Sequence, residues 1–179
     1  MKIIKVECFA LLIPDFDADA CSSAQDNLVV KIYADNGLFG IGETDTNPWG
    51  VKATIESPGT HAMGRGMIET LIGKDPTNVE GIWHELYEKT MMTSRRGLGI
   101  CAIGAIDMAL WDLCGKIYAQ PSWKLLGGSV KDFILPYASL LPEGNNVNDY
   151  SDSLVKKVVK SKELGFKAAK LEICIKGPY

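Results

Sequence analysis

Histidine is almost missing from this chain: His61 and His84 are the only two in 179 residues. An imidazole-rich metal cluster would need ligands from distant segments. Cysteine is present but unpatterned. Cys8, Cys21, Cys101, Cys114 and Cys174 are odd in number, and no Cys-x-x-Cys pair occurs. That argues against a zinc ribbon and against a disulfide framework. Free thiols in a reducing cytoplasm are expected instead. No Lys/Arg-rich run exists and the net charge is -3, so nucleic acid is not an expected partner. No stretch of about 18 uncharged apolar residues occurs, so no membrane span is expected. Glu7 breaks the N-terminal apolar run, which excludes a secretory signal peptide there. Internal repeats and low-complexity tracts are also lacking.

What is present suits a packed core: 46% of residues are apolar and 23% charged. Ile3 to Ile13 is one apolar run and Asn27 to Ala34 a second, rich in β-formers. Asp35-Asn36-Gly37 is turn chemistry, and Leu38 to Thr44 returns as a third strand. A three-stranded antiparallel sheet is the expectation, with Pro14 to Asp26 as a polar, mobile loop. Helices are expected over Val51 to Ser57 and from Asp75-Pro76 onward, where Asp is an N-cap and Pro suits the first turn. Gly97 to Tyr118 repeats Ile and Leu every three or four residues and is apolar nearly all round, so it should be buried. Asp112 and Lys116 form an i,i+4 pair on what remains of its polar side.

From Phe133 the pattern changes. Phe133 to Leu140 reads as a strand, Asp149 to Leu164 as a helix closed by Gly165, and Ala168 to Ile175 as a strand. That is one β-α-β unit of a parallel sheet. In its last strand Lys170, Glu172 and Cys174 share a face. Two charges on the inner face of an α/β strand cost desolvation unless paired or functional. Lys170 and Glu172 are therefore the first candidates for chemistry. Two strands and one helix cannot bury their own faces, so the chain is expected to be part of something longer.

Four segments of this chain resemble a known family. They are Val30 to Gly37 with Gly40-Ile41-Gly42-Glu43; Leu71 to Pro76; Ala102 to Lys116 with Gln120-Pro121 and Lys124 to Gly128; and Gly165 to Lys170. The chain resembles the N-terminal part of an enolase-superfamily member of the mandelate racemase/muconate lactonizing enzyme type. The resemblance implies an α+β capping domain, a three-stranded antiparallel sheet plus helices, over 1–130. It implies the first strands of an α/β, TIM-like barrel over 131–179, incomplete in this chain. In such enzymes three acidic residues on the third, fourth and fifth barrel strands bind Mg2+, which stabilises the enediolate left when a base removes the proton α to a carboxylate. Those ligands would fall outside this chain, so no metal ligand is assigned.

The same resemblance makes the loop from Pro14 to Asp26 a flap over the substrate, with Phe16 and Asp17 as substrate-binding residues. Lys170 matches the first lysine of the family's Lys-x-Lys motif. Glu172 stands where the second lysine, commonly the base, is expected. Base, acceptor for a substrate hydroxyl, and partner of Lys170 are its three open roles. Arg95 and Arg96 are further candidates, since guanidinium matches carboxylate geometry; a solvated or interface role competes equally. The expected substrate is a small carboxylate or sugar acid, and the expected reaction is dehydration. Racemisation or cycloisomerisation comes second, and a non-catalytic homologue or isolated capping fragment third. A cytoplasmic homo-oligomer is expected, with the 179-residue chain inactive by itself.

Other groups read as structural. Asp107 and Asp112, five apart on a helix, point in different directions. Gly40 and Gly42 lack phosphate-loop spacing and suit close strand packing. His61 and His84 read as surface or packing residues, and Trp83 and Trp111 as core.

Overall fold

The computed structural model of the chain describes residues 1–16 and 25–173. It divides into two compact units at Ser129/Val130.

The first unit is a sheet covered on one face by helices. Strands β1 (Ile3–Leu12), β2 (Asp26–Ala34) and β3 (Phe39–Thr44) are antiparallel in the order β1-β2-β3. Gly37, at φ 86°, closes the β2–β3 turn where a side chain would be strained. Period-two alternation sends Leu28, Val30, Ile32 and Ala34 inward, all buried. Helix α4 (Leu98–Tyr118) lies on that inner face. It is apolar enough by length and composition to cross a membrane, with mean hydropathy 1.6 over its most apolar window. Ten of its residues are buried against sheet and helices, among them Ile103, Ile106, Leu110 and Leu113. Its apolarity is that of a core helix.

Gly40 and Gly42 permit this packing. A Cβ at Gly40 would sit 2.0 Å from the Ala109 carbonyl oxygen, and one at Gly42 2.0 Å from that of Ala105. Helix backbone therefore rests on strand backbone, which is why these positions carry no side chain.

Three shorter helices complete the layer, with differences from expectation. Helix α1 (Pro48–Glu56) begins three residues early, because Asn47 Oδ1 accepts the Gly50 amide at 2.9 Å and Pro48 starts the first turn. Helix α2 (Met67–Leu71) is too short for its periodicity to show. Helix α3 (Val79–Lys89) starts later than Asp75-Pro76 implies. Asp75 caps a turn instead, accepting the Thr77 amide at 3.0 Å and its hydroxyl at 2.8 Å. A four-residue helix, α5 (Ser122–Leu125), ends the unit's regular structure.

In the second unit, β4 (Ala138–Leu140) and β5 (Ala169–Leu171) pair in parallel across α6 (Val147–Glu163). Asn146 Oδ1 caps α6 by accepting the Asn148 and Asp149 amides. Gly165, at φ 93°, follows its end. The strands are shorter than expected. Phe133 and Ile134 are exposed and outside β4, and β5 ends at Leu171, although the Glu172 amide still donates to the Leu140 carbonyl at 3.0 Å. Cys174 and Ile175 lie outside the described residues.

Candidate functional site

In the second unit, burial separates the two faces of β4, whereas β5 is exposed throughout. Ala138 is buried and Leu140 half-buried, while Ser139 between them is exposed. Helix α6 thus covers the Ala138 face. By alternation Ser139 and its register partner Lys170 lie on the uncovered face, and Glu172 follows Lys170 there. Both charged residues sit at the carboxyl end of β5, the end at which barrel enzymes carry their active sites.

The two side chains meet. Lys170 Nζ lies 2.9 Å from Glu172 Oε1, with exposures of 51% and 40%. Among the described residues no layer covers that face, so the pair is open to solvent, as expected of two strands and one helix that cannot bury their own faces. The hydrogen bond that Lys170 donates to the Glu172 carboxylate pushes its ammonium above its usual value, and the Glu172 charge adds to it. Loss of solvent opposes this weakly, and Tyr137 adds a smaller favourable effect.

The remaining candidates belong to the first unit. Strands β1 and β3 run in the same direction, so Phe16 after β1 and Asn47 after β3 emerge at one end of the sheet. Helix α4 runs opposite to β3, as Gly42 meets Ala105 and Gly40 meets Ala109. Its N-terminal Leu98 reaches the same end, lying 3.0 Å from where a Gly50 Cβ would be. Arg95 and Arg96 precede it, so topology gathers Phe16, Arg95 and Arg96 at one end. Phe16 is half exposed. Arg95 is partly committed, its guanidinium 5.2 Å from the Tyr87 ring centre. Arg96 is exposed. Asp17 lies outside the described residues.

Sequence reading passes over three groups at this end. Asn27 Nδ2 donates to Glu43 Oε2 at 2.6 Å, and Asn27 Oδ1 is buried without a partner. Trp49 is 54% exposed. Asn47-Pro48 was the signal for Trp49, since that pair opens α1 and presents the next residue. Nothing linear marks the Asn27–Glu43 bond, which spans two strands.

Among the described residues, no three His, Cys, Asp or Glu side chains come together as a metal site. His84 packs edge-on to Trp83 at 5.3 Å, and His61 Nδ1 shares a 3.2 Å hydrogen bond with Thr60. Asp107 and Asp112 do different work. Asp107 is half-buried, and desolvation with the Glu80 charge raises its pKa. Asp112 binds the sheet edge: its Oδ2 accepts the Ile41 amide at 2.8 Å and Lys116 Nζ at 2.7 Å.

Comparison with known proteins agrees with this architecture. The chain is 37% identical over 153 residues to a D-galactonate dehydratase family member from Marinomonas sp., covering 84% of this chain and 34% of that protein. It is 37% identical over 112 residues to an L-rhamnonate dehydratase from Saccharopolyspora erythraea, covering 63% of this chain and 26% of that protein. The crystal structure of 3,6-anhydro-D-galactonate cycloisomerase from Zobellia galactanivorans superposes with a TM-score of 0.77 at 31% identity, covering 97% of this chain and 43% of that one. The chain thus spans about a third of the length of the curated relatives it matches. Residues 12–127 match the family described as mandelate racemase / muconate lactonizing enzyme, N-terminal domain, and the chain belongs to that family, within the enolase superfamily.

Proposed function

We propose that the protein to which this chain contributes dehydrates a sugar acid. A base removes the proton α to the carboxylate, the β-hydroxyl departs as water after protonation, and the resulting enol becomes the 2-keto-3-deoxy acid. One observation carries the assignment of residues: Lys170 and Glu172, paired at 2.9 Å, occupy the strand face that α6 leaves open, at the carboxyl end of β5. Family membership supports the chemistry, and the sugar-acid dehydratases among the relatives support the substrate class. Phe16, Asp17, Arg95 and Arg96 are proposed as substrate contacts from the capping unit. Mg2+ is proposed as cofactor by family likeness; the described residues do not by themselves form its site.

The test is a screen of the full-length protein against hexonates and pentonates with Mg2+, detecting 2-keto-3-deoxy acid. Turnover abolished by chelation and restored by Mg2+ is expected. Products that keep all their oxygen atoms would instead favour the second reading, an isomerase, for which the cycloisomerase likeness speaks.

A further inference from the structure

Lys170 and Glu172 are held by more than their mutual attraction. The parallel ladder fixes Lys170 beside Ser139, and the Glu172 amide is anchored to the Leu140 carbonyl at 3.0 Å. Their side chains project from the same face, two residues apart, and close to 2.9 Å. We infer that Glu172 is a positioning residue that holds Lys170 as a fixed cation, so that neither member of the pair is the proton-abstracting base. The inference rests on the proposed reading of that face as the substrate side.

The chemistry follows from the sign of the neighbouring charge. Two lysines side by side disfavour each other's charge, so one gives up its proton and becomes a base. A glutamate in the second position inverts that effect. An ammonium has three N–H donors and no lone pair, so protonated Lys170 can bind a carboxylate but cannot take a proton. Glu172 Oε1 is turned towards Lys170. Among the described residues, the titratable groups acting on Lys170 are Glu172 on its own strand and Tyr137 ahead of β4, and both favour its charged form. The base for the reaction then belongs to another segment of the whole protein.

Two measurements test this. The first is acetylation of Lys170 by limiting acetic anhydride, followed by peptide mass spectrometry against pH. It compares this chain with its Glu172→Gln variant, and Lys167 is the internal reference. Because the pair is half exposed, the variant should acetylate Lys170 about two-fold faster in the alkaline range, with Lys167 unchanged. Identical Lys170 profiles would overturn the inference.

The second measurement is the pH profile of kcat/KM in the full-length protein with any sugar acid it turns over. Glu172→Gln should bring the alkaline limb to lower pH, keep the acidic limb, and cost less than the about 10^2–10^4-fold expected for a general base. Loss of the acidic limb with a larger fall in kcat would make Glu172 the base and overturn the inference. If no acid is turned over, the dehydratase reading falls, while acetylation still decides the pair.

Discussion

Single residues carry the tightest constraints in the first unit. Gly42 faces the Ala105 carbonyl at a distance no Cβ tolerates, so Gly42→Ala must push α4 off the sheet. Overpacking of this kind costs about 1–3 kcal/mol, and contact with backbone rather than a flexible side chain puts the expected loss near ~3 kcal/mol. Urea unfolding of the variant measures it; a loss below ~1 kcal/mol would show that the helix can shift freely.

Cys8 offers a second residue-scale prediction. Burial pushes its thiol up to about 11, with Glu56 adding and Lys52 opposing. The folded state therefore binds the proton more tightly than the unfolded chain, whose thiol titrates near its ordinary value of 9.0. That contribution is fully present below pH 9 and is lost as pH rises from 9 towards 11. Unfolding free energies measured across this window should fall for the native chain and fall less for Cys8→Ala. Parallel curves would remove Cys8 as the cause.

At the scale of elements, the sheet manages its two open edges with charged helix side chains. Lys52 of α1 donates to the Cys8 carbonyl of β1 at 2.6 Å. Lys116 of α4 donates to the Phe39 carbonyl at 2.8 Å, and Asp112 takes the Ile41 amide of β3. Unsatisfied edges template pairing with other chains. The double variant Asp112→Ala/Lys116→Ala should lower stability by about 1–2 kcal/mol and raise self-association in light scattering. A variant that stays monomeric would show that the edge is protected by other means.

Helix positions were legible because their periodicity is long. Ile103, Ile106, Leu110 and Leu113 needed only a count of three or four, and α4 runs from Leu98 to Tyr118 as that count implies. The starts of α1 and α3 differ from expectation because Asn47 and Asp75 each cap a turn, and the next few backbone angles decide whether that turn becomes a helix. Strands β4 and β5 shrank because a strand persists only where a neighbour accepts its hydrogen bonds; Phe133 to Tyr137 lie outside any ladder.

For the molecule as a whole, the two units differ in how much they bury. Every buried residue of the main apolar cluster lies between Ile3 and Cys114. In the second unit, the buried residues among those described are Ala138 and Ser161. Two strands and a helix with so little interior cannot match the first unit's stability. Hydrogen exchange read by mass spectrometry should show α6 amides exchanging well before those of α4 and β2. Equal protection would mean that the second unit gains cover from elsewhere.

The sequence by itself determined the three-stranded sheet, the long helices and the family, since periodicity, turn residues and the segment from Ala102 to Gly128 are local properties of the chain. It also put the candidate residues together, because alternation alone places Lys170 and Glu172 on one face. Only tertiary structure decided which face that was and whom each group meets. Those facts depend on what packs alongside: α6 on the Ala138 face, α4 carbonyls on Gly40 and Gly42, and Asp112 on the edge of β3. No local pattern encodes a contact between residues seventy positions apart.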